Sequence, residues 1–121
     1  MTILNLTQHK ANAAQKHAGV FEPANKAIVE ELLTFTTIPS KEDLHRRAKA
    51  LANVVSKFEN HRGSVMIGGA PYLMPYLEDA LSEVGCRAVY AFSLRESVEE
   101  TLEDGTTIKK SVFTHLGFVE A

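Results

Sequence analysis

Three short polar segments each follow an apolar, strand-like run, and together they hold the residue types that could do chemistry. Thr7, Gln8 and His9 follow "TILNL"; Gly68 closes the run "SVMIG" and Gly69, Ala70, Pro71 and Tyr72 follow it; Ser93 ends "RAVYAFS" and Arg95 lies two residues further on. Glycine permits positive φ and lets a ligand approach the main chain. Pro71 suits a first helical turn, where a missing N–H costs nothing. The free N–H groups and dipole of a helix start favour a phosphate or another anion. Arg95 could hold such an anion through two parallel hydrogen bonds. Thr7 and Gln8 could read a hydroxyl or a base edge, and Tyr72 could stack on a ring. Against this stands a plainer reading, in which the glycine pair serves close helix–sheet packing, Thr7-Gln8-His9 is a polar loop and Arg95 is a solvated charge.

For these residues to meet, the elements that carry them must be arranged suitably. The strands "TILNL", "SVMIG" and "RAVYAFS" alternate with helical stretches, the pattern of a mainly parallel sheet covered on both faces. Asn12 and Gln15 have capping-box spacing, which predicts a helix over about 12–18 closed by Gly19. "GVFEPA" suggests a brief edge strand, and Ile28, Val29, Leu32 and Leu33 a helix after Pro23. Ser40 and Asp43 open a helix of about 41–58, whose stripe is Leu44, Ala48, Leu51, Ala52 and Val55. Arg46, Arg47 and Lys49 fall largely off that stripe and read as its solvated side. The helix after Gly69 buries Leu73, Leu77, Ala80, Leu81 and Val84, and Gly85 caps it. Beyond Ser93, Asp104-Gly105 predicts a β-hairpin at about 97–113, pairing Val98 with Val112, Leu102 with Ile108 and Glu100 with Lys110. In such open sheets ligands sit outside the carboxyl ends of the strands. If the three strands are parallel, all three polar segments lie along one rim.

Composition bounds the partners. The 121 residues suit one domain, with 45% hydrophobic and 23% charged residues and a formal net charge of −2. That balance argues against a duplex-DNA surface but leaves room for a small anionic ligand. No run is long and apolar enough to predict a membrane span, and "MTILNLTQHK" lacks signal-peptide features, so a cytoplasmic location is expected. Cys86 is the one cysteine and reads as a small core residue. His9, His17, His45, His61 and His115 show no HxxxH or HxH spacing, so neither a metal nor a cofactor is expected. Neither GxGxxG nor GxxxxGK[ST] occurs. "YLEDALSE" reads as a solvated helix face. The "EE…KK" hairpin reads as cross-strand charge pairing, or as an oligomer contact covering the edge of a small sheet.

The segments "NLTQH" after strand one and "IGGAPY" after a central strand, with a late hairpin, resemble the CRISPR-associated Rossmann-fold (CARF) domains and the small ring nucleases. The resemblance covers most of the chain in architecture and motif placement, not residue for residue. It implies an α/β, Rossmann-like three-layer domain over residues 1–121 with a C-terminal β-hairpin. It also implies a homodimer that binds a cyclic oligonucleotide second messenger. Thr7, Gln8 and His9 match the first family segment in position, and Gly68 to Tyr72 the second. The chain further resembles small proteins of phage or plasmid origin, some of which interfere with host nucleotide signalling, which would place it in the setting of phage defence. Two alternatives follow. One is a metal-independent phosphodiesterase (a ring nuclease) in which the ligand's 2′-hydroxyl attacks, Arg95 stabilises the developing charge and His9 serves as acid or base. The other is a non-enzymatic interaction module docking through the hairpin.

Overall fold

A computed structural model describes residues 2–121. It is a mixed α/β domain with one five-stranded sheet in the order β2-β1-β3-β4-β5. The strands are β1 (Ile3–Asn5), β2 (Val20–Phe21), β3 (Ser64–Ile67), β4 (Arg87–Thr101) and β5 (Thr107–Glu120). The first four run parallel, and β5 returns antiparallel to β4. The helices are α1 (Ala13–His17), α2 (Lys26–Leu33), α3 (Lys41–Asn53) and α4 (Met74–Glu83); α3 continues as a single π-helical turn over Val54–Phe58.

The caps explain the helix boundaries. Asn12 accepts from the N–H of Gln15 while Gln15 reaches back to the N–H of Asn12, so the capping box is formed at both ends. Ser40 Oγ accepts from the Asp43 N–H at the start of α3. Gly19 and Gly85 adopt positive φ after α1 and α4, as terminating glycines do.

One face of the sheet is packed by α2, α3 and α4. Leu4, Leu6, Val65 and Ile67 meet Val29, Leu44, Ala48, Leu51, Val55 and Leu77 there. Each fully buried aliphatic side chain contributes about 1.5–3 kcal/mol, and truncating Leu77 at this centre would cost about 2–5 kcal/mol. The other face carries a smaller cluster of Ile3, Ala11, Val20, Met66 and Val89, flanked by Phe118. Cys86 is buried.

Three expectations change. First, Pro71 does not open the helix. Residues 71–73 form a turn, closed by the Leu73 N–H donating to the Ala70 carbonyl at 3.0 Å, and α4 begins at Met74 with Pro75 in its first turn. Second, Arg47 is not solvated. Its guanidinium donates to the Leu32 and Thr34 carbonyls at 3.1 and 2.7 Å, ending α2, and stacks on Phe35 at 4.4 Å. Third, the hairpin is longer than 97–113, because its strands are paired from Val89–Glu120 to Thr101–Thr107. Its register also differs by two residues. Val98 opposes Lys110 and Glu100 opposes Ile108, so the expected apolar partners become diagonal neighbours. The loop decides this. Gly105 N–H donates to the Leu102 carbonyl and Leu102 N–H to the Thr106 carbonyl, so Gly105, at φ 85°, closes a three-residue loop.

Candidate functional site

The rim at the carboxyl ends of β1 and β3 is built around a buried polar side chain. Asn5, at the end of β1, is 0% exposed. Its Nδ2 donates to the His9 carbonyl at 2.8 Å and to both Glu22 carboxylate oxygens at 3.0 and 3.1 Å. Its Oδ1 accepts from the Thr7 N–H at 3.0 Å and the Thr7 hydroxyl at 2.7 Å. Every hydrogen-bonding group of that amide is therefore engaged, as burial demands. The loop Thr7-Gln8-His9 is tied down from below, and its outer atoms are left facing solvent. Gln8 extends it sideways by donating to Thr34 Oγ1 at 2.9 Å, past the end of α2.

Glu22 anchors the network. It also accepts from the Ala11 N–H at 3.0 Å and from Lys26 Nζ at 2.6 Å. Burial pushes its carboxyl pKa up, but the hydrogen bonds from Lys26, Ala11 and Asn5 outweigh that, and the group is held below its ordinary 4.5.

Across from this loop, the backbone is bare. Gly69 has φ 134°, which side-chain-bearing residues rarely adopt. Among the described residues, a Cβ there would meet nothing within 4 Å, and one at Gly68 would lie 3.9 Å from Thr7 Cγ2, an ordinary contact. Neither glycine is required by close packing against a helix. The space beside them is open, forming a cavity of about 340 Å³ lined by Thr7, Gln8, His9, Lys10, Gly68 and Gly69, with Tyr90 at one side. Tyr90 donates to Glu78 at 2.5 Å. Its phenol is pushed up from the ordinary 10.0 by burial and by that carboxylate, so it stays a neutral donor.

The sequence-predicted residues thus divide. Thr7, Gln8, His9, Gly68 and Gly69 come together at this cavity. Ala70 packs against the core, and exposed Pro71 lies in the turn. Tyr72 packs edge-on against Phe35 at 5.1 Å and lines a neighbouring apolar groove with Ile38 and Pro39. Ser93 and Arg95 do not line the cavity. They stand on the hairpin, where Arg95 donates to Ser111 Oγ at 3.3 Å and lies 5.8 Å over the Phe113 ring. The cation that does line the cavity is Lys10, one residue past the segment that sequence reasoning singled out. Asn5 and Glu22 were also missed, although an asparagine inside an apolar strand signals a buried group in need of partners. Among the described residues no three His, Cys, Asp or Glu side chains group as metal ligands.

Residues 1–119 match the model of the uncharacterized protein MJ1673 family. The chain belongs to that family. The match spans β1 to the last residues of β5, so the rim and the hairpin both fall within it. No curated protein and no solved structure matches the chain. No helix among the described residues is long and apolar enough to cross a membrane.

Proposed function

We propose that the protein binds a small anionic ligand of the nucleotide class, a cyclic oligonucleotide by preference, at this rim as a homodimer of Rossmann-like three-layer domains. The observation that carries the reading is the pairing of a tied-down polar loop with a bare glycine backbone across an open cavity. Gln8 offers the amide oxygen that its bond to Thr34 does not use, Lys10 offers positive charge, and Gly68-Gly69 lets an anion approach the main chain. The Thr7 hydroxyl is engaged by Asn5 and shapes the loop. The cavity's size lies at the small end of ligand sites, which suits one nucleotide unit rather than a whole ring. A dimer would supply further units. Preorganisation by Asn5 means that little loop-ordering entropy is lost on binding.

His9 supports a second reading. It lines the same cavity as Lys10, so a ligand's 2′-hydroxyl and phosphate could meet a general acid or base and a cation there. In that reading the protein is a metal-independent phosphodiesterase, with Lys10 taking the role expected of Arg95.

Calorimetry against linear and cyclic oligonucleotides, with product analysis of each bound sample, tests both. Binding with intact ligand supports a binder; metal-independent conversion to a linear product supports the phosphodiesterase. Gly68→Val places a branched side chain in the cavity. It is expected to abolish binding while the thermal unfolding transition persists. Unchanged binding in that variant would overturn the site.

A further inference from the structure

Beyond Phe92 the hairpin leaves the body of the domain, and β5 is the last strand of the sheet. Among the described residues nothing pairs with the outer edge of β5 over its 14 residues. From Ser111 to Val119 that edge carries no Asp, Glu, Lys or Arg and contains no proline, while Val112, Phe113, Leu116 and Val119 are exposed. A long, free, apolar edge is a template for another strand, and natural sheets protect or use it.

We propose that β5 pairs antiparallel, edge to edge, with β5 of a second copy of this chain, joining two five-stranded sheets into one. The strand is self-complementary in charge, with Lys109 and Lys110 near its start and Glu120 at its end. Lys109 also stands opposite Glu99, and Glu120 meets Arg87 of its own chain at 3.0 Å in an exposed pair that leaves room for a second cation. The bulge fixes how those charges meet. Ser93 opposes His115 and Phe92 opposes Gly117, so Leu116 is skipped. A strand on the outer edge must skip it too if side chains are to share faces. With a two-fold axis at Thr114, His115 then opposes the partner's Phe113 and Gly117 the partner's Val112. Continuing outward, Glu120 opposes the partner's Lys109, on the same face, at both ends. Moving the axis to Phe113 sets Lys109 against the partner's Phe118, and moving it to His115 carries Lys109 beyond the partner's last residue. Only the Thr114 axis, of these three, pairs the charges.

This supplies the interface for the homodimer of the proposed function, and it is read by a different experiment. Across an antiparallel pair, facing Cα atoms lie about 4.5–5.5 Å apart, within the disulfide range of roughly 4.4–6.8 Å. Thr114→Cys in the full chain is therefore expected to crosslink under mild oxidation into a covalent dimer. Lys110→Cys, whose counterpart would be roughly 27 Å away, is expected to remain uncrosslinked. The wild type, with Cys86 buried, serves as the control. Sedimentation equilibrium is expected to show a reversible dimer, weakened about fivefold by Lys109→Glu and restored when Glu120→Lys is added. A monomer at all concentrations, or equal crosslinking of both cysteine variants, would overturn the inference. A monomer that still binds nucleotide sinks this interface and leaves the rim standing; a crosslinked dimer that binds none does the reverse.

Discussion

The rim and the hairpin arm rise from the same end of the sheet, yet they invert each other's chemistry. At the rim a polar side chain, Asn5, is wholly buried, and every group on it has a partner within the chain. On the arm, Phe92, Leu94, Val98, Ile108, Val112 and Phe113 are exposed, the last by 69%. Buried polar groups and exposed apolar ones are the informative exceptions to ordinary burial. The first exception is resolved internally and yields a rigid loop. The second is unresolved by this chain alone and points outward. The comparison teaches that the rim's exception is satisfied within one chain, whereas the arm's apolar surface is not covered within it.

The sharpest way to break that contrast is Asn5→Ala. It leaves the Thr7 N–H, the His9 carbonyl and the Glu22 carboxylate without their shared partner. Loss of a buried group with several partners should cost about 2–4 kcal/mol in urea unfolding. A cost under about 0.5 kcal/mol would mean the rim loop is not held by this network, and the contrast with the arm would collapse.

Next in size is Gly69→Ala. The new methyl meets nothing within 4 Å, so any cost comes from φ 134° alone. About 1–3 kcal/mol is expected for a strained backbone, against less than about 1 kcal/mol for Gly68→Ala, whose φ is not in that region. Equal costs would show that the turn relaxes freely and that the rim backbone is softer than described.

Much of this fold is legible in the residues themselves, and the failures have physical causes. Capping boxes and helical stripes are local, so α1 and α3 emerge from spacing alone. The hairpin's register does not, because Val98 and Val112 satisfy apolar matching either directly opposed or diagonal. Loop geometry around Gly105 breaks the tie. The arm's length was hidden because "RESVEE" has no buried face to set a visible alternation; every residue from Ala91 to Glu100 is exposed. At the site, Thr7, Gln8, His9, Gly68 and Gly69 were readable because topology alone aligns strand ends. Arg95 was misplaced because β4 does not stop at the rim but carries it up the arm.

The pH dependence of Glu22 sharpens the rim half of the comparison. Its folded pKa lies below its ordinary 4.5. Its contribution is therefore complete above the unfolded pKa and is lost as pH falls through the folded one. Wild-type unfolding free energy should decline with acidification below about pH 4.5, and Glu22→Gln should flatten part of that slope. Identical slopes in the two proteins would show that Glu22 is not the charge that ties Lys26, Ala11 and Asn5 together.

The smallest expected effect tests the other half. Val98 sits on β4, within the arm and away from the outer edge of β5, with 39% of its surface exposed. Val98→Thr keeps the β-branched shape and replaces a methyl that no core covers. Its effect on unfolding should stay within about 0.5 kcal/mol. Pairing through β5 would make wild-type stability rise with protein concentration, since a partner that binds the folded state alone stabilises it by mass action. The Val98→Thr difference should nevertheless stay constant across a dilution series, because the substitution touches neither the core nor the paired edge. A loss above about 1 kcal/mol at the lowest concentration would place Val98 in the monomer's cooperative core, and the arm would then be complete within a single chain. A loss that grows with concentration would move the contact between copies from the β5 edge to the apolar face of the arm.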